Sequence, residues 1–373
     1  MSRFIRERAT DSLLLAVARQ QRPTAADALD AADVVAAARY HRLAPLTYLA
    51  LRDSRPDIAM LLREDRDKAI NHHLRVSLLL GLLRDLLGDV DWLVFKGPYL
   101  SEFAHPVAGL RMYGDVDILV PATRLRQTHE RVLAEGWRVI SSDETLSQSV
   151  LSGEFTIANR ARLPVDVHWS MLADGALRSR LPVSTRAILD RREQVAIGGA
   201  PVAVPERADA LVHLCVHSAL DGATKLLHLL DADQLARQID DWDAVFSRSR
   251  AWGVSPQVAL VLGRIRRLLE APVPEAASRE LGMSGAFDAM LAGVDAAWPA
   301  NRVRESTSMP RRVATSVRPG TIRTLGSVMV NGAIRIGQRL HPEPEPQFAH
   351  AEPQTIEAFI GAVERATDDP SWA

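Results

Sequence analysis

The chain has 373 residues, of which 47% are apolar and 24% charged, the profile of a globular protein long enough to bury a sizeable core. Its formal charge of −1 excludes a molecule that holds nucleic acid by bulk charge, so such a role would need a local basic patch. The lone cysteine, Cys215, excludes an internal disulfide. No run of about 18 apolar residues occurs, and the short stretch SLLLAVA lacks the length and cleavage site of a secretory signal, so a cytoplasmic protein with no membrane partner is expected.

Residues 1–88 read as an N-terminal helical region. TAADALDAADVVAAARYH is Ala-rich, with Thr24 as its expected N-cap, and NHHLRVSLLLGLLRDLLGD (71–89) repeats apolar residues at helical spacing up to a stop at Gly88. The pattern changes over 89–198. WLVF (92–95) predicts a strand that ends in Lys96-Gly97-Pro98, and PYLSEFAH a short helix with Pro98 in its first turn. DVDILV (115–120) predicts a strand with one polar face, ATRLRQTHERVLAEG (122–136) an amphipathic helix closed by Gly136, and WRVIS, EFTIA and LPVDVHWS three further strands. The expected class is α+β, a small mixed α/β sheet core flanked by helical regions.

Helical spacing returns after Pro205 in ADALVHLCVHSAL, KLLHLLDADQLARQI and QVALVLGRIRRLLE, so 199–300 is expected to form a C-terminal helical domain. The remainder, 301–373, holds an arginine-rich stretch, a Pro/Glu-rich linker at HPEPEPQ (341–347) and a terminal helix, PQTIEAFIGAVERA, expected to lie beyond the catalytic unit. Arginines 302, 304, 311, 312, 318, 323, 335 and 339 face only Glu305 in sign, yet no aromatics interleave them. A solvated segment is therefore favoured over a nucleic-acid platform.

Three short segments carry chemistry. Asp115 and Asp117, at i and i+2 of a strand, share one face about 6–7 Å apart, and two such carboxylates repel unless a cation lies between them. Mg²⁺ suits them because it takes few carboxylates together with substrate phosphates; the competing reading is a solvent-facing edge strand. In the Lys96-Gly97 turn, glycine lets a phosphate approach the backbone at a helix N-terminus and lysine adds a point charge. In VDVHW (165–169), Asp166 and His168 share one face while Val165, Val167 and Trp169 share the other. Arg111 is placed either to neutralise phosphate or to pair with the carboxylates. His213 and His217, at i and i+4, lack the glutamate of a zincin, and packing is the favoured role.

Taken in order, Lys96-Gly97, Arg111, Asp115-Val116-Asp117-Ile118-Leu119-Val120 and Asp166-Val167-His168-Trp169 resemble the uncharacterised nucleotidyltransferase family of the polymerase-beta-like superfamily. The likeness extends to RYHRLAPL upstream and to LVHLCVHSAL and LLDADQLARQIDDWDAVFSRSRAWG downstream, covering roughly 30–270. The resemblance implies that Asp115, Asp117 and Asp166 hold two divalent ions, Mg²⁺ with Mn²⁺ as an alternative. It also implies an NTP co-substrate, with Lys96, Gly97, Arg111 and Lys225 contacting the nucleotide; Asp231 too has a counterpart in the pattern. The wider superfamily carries Gly-Ser where this chain has Lys96-Gly97, so a charge replaces a hydroxyl contact. The implied reaction moves an NMP, AMP foremost, from NTP to an acceptor oxygen, which is a small molecule, a peptide or protein side chain, or RNA. Phosphotransfer at the same site and a non-catalytic nucleotide-binding scaffold are the alternatives.

Overall fold

The computed structural model describes residues 3–23, 29–148, 150–161, 163–304, 309–318 and 351–367. The N-terminal helices are α1 (Arg3–Ala18), α2 (Ala31–Tyr40), α3 (Ala44–Leu51), α4 (Pro56–Leu61) and α5 (Arg63–Leu87). Helix α2 begins where the Asp30 carboxylate accepts the backbone N–H groups of Ala32 and Asp33. The expected cap, Thr24, lies outside the described residues. Helix α5 starts well before the predicted run and stops where Gly88 turns to φ +55, a backbone that glycine adopts without steric cost.

The sheet comprises β1 (Leu93–Val94), β2 (Val116–Leu119), β3 (Arg138–Val139), β4 (Glu154–Ala158) and β5 (Pro164–His168), in spatial order β1-β2-β5-β4-β3. Only β2 and β5 run parallel. All five were legible in the sequence, but their placement overturns the edge-strand reading of the Asp115–Asp117 segment: β2 is paired on both sides, and β5 beside it is the central strand. Short helices α6 (Pro98–Phe103), α7 (Leu125–Ala134), α8 (Asp143–Leu146), α9 (Gly175–Arg178) and α10 (Thr185–Asp190) connect this region.

A hairpin that the sequence pattern did not bring out follows, formed by β6 (Glu193–Ile197) and β7 (Ala200–Val204). Its two-residue turn, Gly198-Gly199, has both φ values positive, as a tight hairpin turn requires. The remaining helices are α11 (Arg207–Leu220), α12 (Leu226–Ala236), α13 (Trp242–Ala251), α14 (Ser255–Leu269), α15 (Ala277–Glu280), α16 (Gly285–Ala297), α17 (Met309–Ser316) and α18 (Pro353–Thr367).

Alternation divides the sheet into two chemically distinct faces. Val116, Ile118, Phe155, Ile157, Val165 and Val167 are all buried on one face. There Phe155 meets His129 of α7 and Phe359 of α18 edge-on. Helix α18 is also held by ion pairs from Arg126 to Glu357 and Glu364, at 2.6 and 2.8 Å. The terminal helix therefore covers the sheet, contrary to its expected place beyond the catalytic unit. Of the arginine-rich stretch, Arg302 and Arg304 both pair with Asp11 of α1; Arg323, Arg335, Arg339 and HPEPEPQ lie outside the described residues. Among the described residues no helix is long and apolar enough to cross a membrane.

Candidate active site

The opposite sheet face is polar, and register explains why. Asp117 on β2 stands beside Asp166 on β5, and Asp166 stands beside Thr156 on β4. One step along, His168 on β5 stands beside Glu154. Two strands of period two, paired in register, thus bring residues about fifty positions apart in the chain into one cluster. Donor atoms of Asp117, Asp166 and His168 all lie within 4.8 Å of one another.

Each acid has a different electrostatic setting. Asp117 is almost fully buried, but its carboxylate lies 2.6 Å from Lys96 Nζ and 3.1 Å from His168 Nε2. Burial alone would raise its pKa; the lysine ammonium and the imidazolium more than offset that and hold it well below the usual carboxylate range. Burial likewise works against a charged His168, yet Asp117 and the Glu154 carboxylate, 2.9 Å from Nδ1, push it up to about 9. Lys96 is raised too, because Asp117 outweighs its desolvation. Glu154 is lowered, its contact with His168 prevailing over burial.

Asp166 differs. Among the described residues its carboxylate accepts only the Thr156 hydroxyl hydrogen, at 2.6 Å, and burial pushes its pKa to about 7, with Asp117 and Glu154 adding repulsion. It is an acid with a neutral partner in a half-buried place, which is costly for the ion. Within the cluster, Asp117, Asp166 and Glu154 are three acidic groups against two cations, Lys96 and His168. A bound cation would offset that excess of negative charge. The two aspartates supply the hard oxygens that Mg²⁺ and Mn²⁺ both prefer. The donor set therefore fits a divalent ion.

A cleft of about 470 Å³ opens over this face, lined by Arg42, Lys96, Gly97, Arg111, Tyr113, Asp115, Asp117, His217, Leu220, Asp221, Lys225 and His228. It thus gathers Lys96, Gly97, Arg111, Asp115, Asp117 and Lys225 of the sequence-predicted site residues, with Asp166 beside Asp117 on the neighbouring strand. Asp115 stands one residue before β2 and is exposed on the cleft wall, so the close-set donors include His168 rather than Asp115. Gly97 has φ +46, and a Cβ there would come 2.9 Å from the Asp115 carbonyl oxygen and 3.2 Å from the Tyr113 ring. The turn thus needs glycine both for conformation and for closeness to Asp115.

Arg111 pairs with a carboxylate that is neither Asp115 nor Asp117. Its Nε donates to Asp231 of α12 at 2.9 Å, with both side chains buried, while the residue still lines the cleft. Burial raises Asp231 to about 6 despite that arginine. Lys225 precedes α12 and reaches the same wall. His213 and His217 stack nearly parallel, and His213 meets Phe95 edge-on, which bears out the packing role. Glu154 and Thr156 are the functional neighbours that the sequence reading missed; their signal was the alternation of E-F-T-I-A, whose polar positions had to share a face with Asp166 and His168 or with water.

A family model described as "Uncharacterised nucleotidyltransferase" matches residues 27–270, well over half of the chain and the whole of this site. No curated protein matches the chain.

Proposed function

This chain belongs to the uncharacterised nucleotidyltransferase family, and from that premise we propose that it moves a nucleoside monophosphate, AMP foremost, from an NTP to an acceptor oxygen with release of pyrophosphate. The observation that carries the reading is the register of Asp117 and Asp166 on adjacent parallel strands, with His168 beside them and the Lys96-Gly97 turn at the cleft. In this reading Asp117 and Asp166 hold a divalent ion, Mg²⁺ foremost, with His168 adjoining. Asp115, on the cleft wall, would hold a second ion together with the nucleotide. Divalent ions in such a site offset charge on the attacking and leaving oxygens of an in-line displacement.

The chain's own groups do the rest. Gly97 lets the phosphates approach the backbone, and Lys96, Arg111 and Lys225 offset their charge along the cleft. Lys96 pairs with Asp117, so in this reading it shares that carboxylate with the cation. Thr156 and Glu154 orient Asp166 and His168. Segment 89–198 is the catalytic core in this reading, 199–300 the wall closing the cleft, with 1–88 and 301–373 as flanking regions. The acceptor is a hydroxyl or carboxylate oxygen of a small molecule, peptide, protein or RNA.

Incubation with Mg²⁺ or Mn²⁺, a cell extract, and ATP labelled at either the α- or the γ-phosphate tests the reaction. Label should enter the product from the α position, with pyrophosphate released. Transfer of the γ label instead would make the protein a phosphotransferase, and no transfer with any NTP would remove the reading.

A further inference from the structure

The cleft contains an arginine with an unusual backbone. Arg42 follows α2 at φ +57. The turn is a Schellman closure: Leu43 N–H donates to Ala38 O at 2.8 Å and Arg42 N–H to Arg39 O at 3.1 Å. The residue at that position adopts a left-handed conformation that glycine takes freely and a side-chain-bearing residue takes at a cost. A basic residue near a helix C-terminus is also favoured by the helix dipole, but any position in the last turn supplies that, and Arg39 already does. The strained position therefore calls for another reason.

Its surroundings supply one. Arg42 is exposed and lines the cleft together with Lys96, Gly97, Arg111, Asp117 and Lys225. Lys96 is committed to Asp117 and Arg111 to Asp231, whereas among the described residues the Arg42 guanidinium meets no carboxylate. Its position is also fixed. The preceding residue, His41, is fully buried and binds the first turn of α12: Leu227 N–H donates to His41 O at 3.2 Å and Leu226 N–H to His41 Nδ1 at 3.3 Å. Arg42 and Lys225 are thus tied to one junction and line the same cleft as the Lys96-Gly97 turn.

We propose that Arg42 binds the β- and γ-phosphates of the NTP, forming with Lys225 a polyphosphate subsite that selects triphosphates over monophosphates. The inference rests on the nucleotidyl-transfer reading and adds to it the part of the substrate that this wall recognises. An uncommitted guanidinium suits a phosphate because its planar fork donates two hydrogen bonds at once.

The test is calorimetric titration of the full chain with each of the four NTPs and the matching monophosphates in Mg²⁺. Arg42→Gly restores the residue that the turn favours, so its thermal midpoint should equal or exceed that of the wild type. Affinity for the NTP should fall about ten- to hundredfold, as for a lost charge-assisted contact, while the monophosphate changes by less than about twofold; Arg42→Lys should recover part of the loss. Wild-type NTP affinity in Arg42→Gly, or an equal loss for mono- and triphosphate, would overturn the assignment and leave nucleotidyl transfer standing. A wild-type protein that binds no NTP with either Mg²⁺ or Mn²⁺ would remove both.

Discussion

Replacing Asp166 with asparagine should stabilise the metal-free protein at pH 8 and leave its stability unchanged near pH 4. Burial raises the folded pKa from 3.8 to about 7. An acid raised in this way is protonated in both states below the unfolded value and costs nothing there. Its penalty grows as pH climbs from about 4 to about 7, then stays constant. At 1.36 kcal/mol per unit, the gap of about three units corresponds to roughly 4 kcal/mol, and partial solvation of the carboxyl reduces this to about 2 kcal/mol. Asparagine keeps the shape, accepts the Thr156 hydroxyl and carries no charge. The assay is urea unfolding in EDTA at pH 4, 6 and 8, repeated with saturating Mn²⁺. With the cation present the order should reverse: a ligand at 100 times its Kd adds about 2.7 kcal/mol to a protein that binds it, and the variant lacks the charge that binds. The same variant should lose about 10² or more in transfer rate, a rise of about 2.7 kcal/mol or more in the barrier. An advantage that stays constant across pH, or equal stabilisation of both proteins by Mn²⁺, would refute the view that Asp166 waits for a cation.

Three further outcomes follow from named contacts. Glu154→Gln removes the charge at His168 Nδ1, so the imidazolium should titrate below its value of about 9; NMR titration of the ring reads the shift, and an unchanged pKa would place the control in Asp117 alone. Gly97→Ala should lower transfer sharply, because the new methyl meets the Asp115 carbonyl at 2.9 Å in a backbone at φ +46; wild-type kinetics would show that the turn can relax without moving Asp115. Truncation before residue 351 uncovers Phe155 and removes the buried Phe359, Ile360 and Val363; loss of soluble protein is expected, and a truncated chain of unaltered thermal midpoint would show that α18 contributes nothing to the sheet.

The elements were legible where one period governs the chain. Every strand of the main sheet is a short apolar or alternating run bounded by turn residues, and α11, α12 and α14 repeat apolar residues at three and four. What failed was context. The hairpin at 193–204 carries the mixed strand E-Q-V-A-I, whose exposed outer positions hide its alternation, and only Gly198-Gly199 marks it. The place of α18 could not be read either, because nothing in an amphipathic helix states which apolar surface it will cover.

The site divides along the same line. Asp117 and Asp166 could be paired in advance because a strand fixes which side each residue takes, so two polar–apolar alternations in neighbouring strands must meet polar side to polar side. The same reasoning, extended by one strand to Glu154 and Thr156, would have supplied the groups that tune His168 and Asp166. No such periodicity governs Arg42 or the Arg111–Asp231 pair. These depend on how α2 and α12 pack together, through contacts such as Leu227 to His41 across 186 positions of sequence. Strand-borne chemistry is local information amplified by register, whereas the cleft's opposing wall is assembled by tertiary packing, and it is on that wall that the selection of substrate is expected to lie.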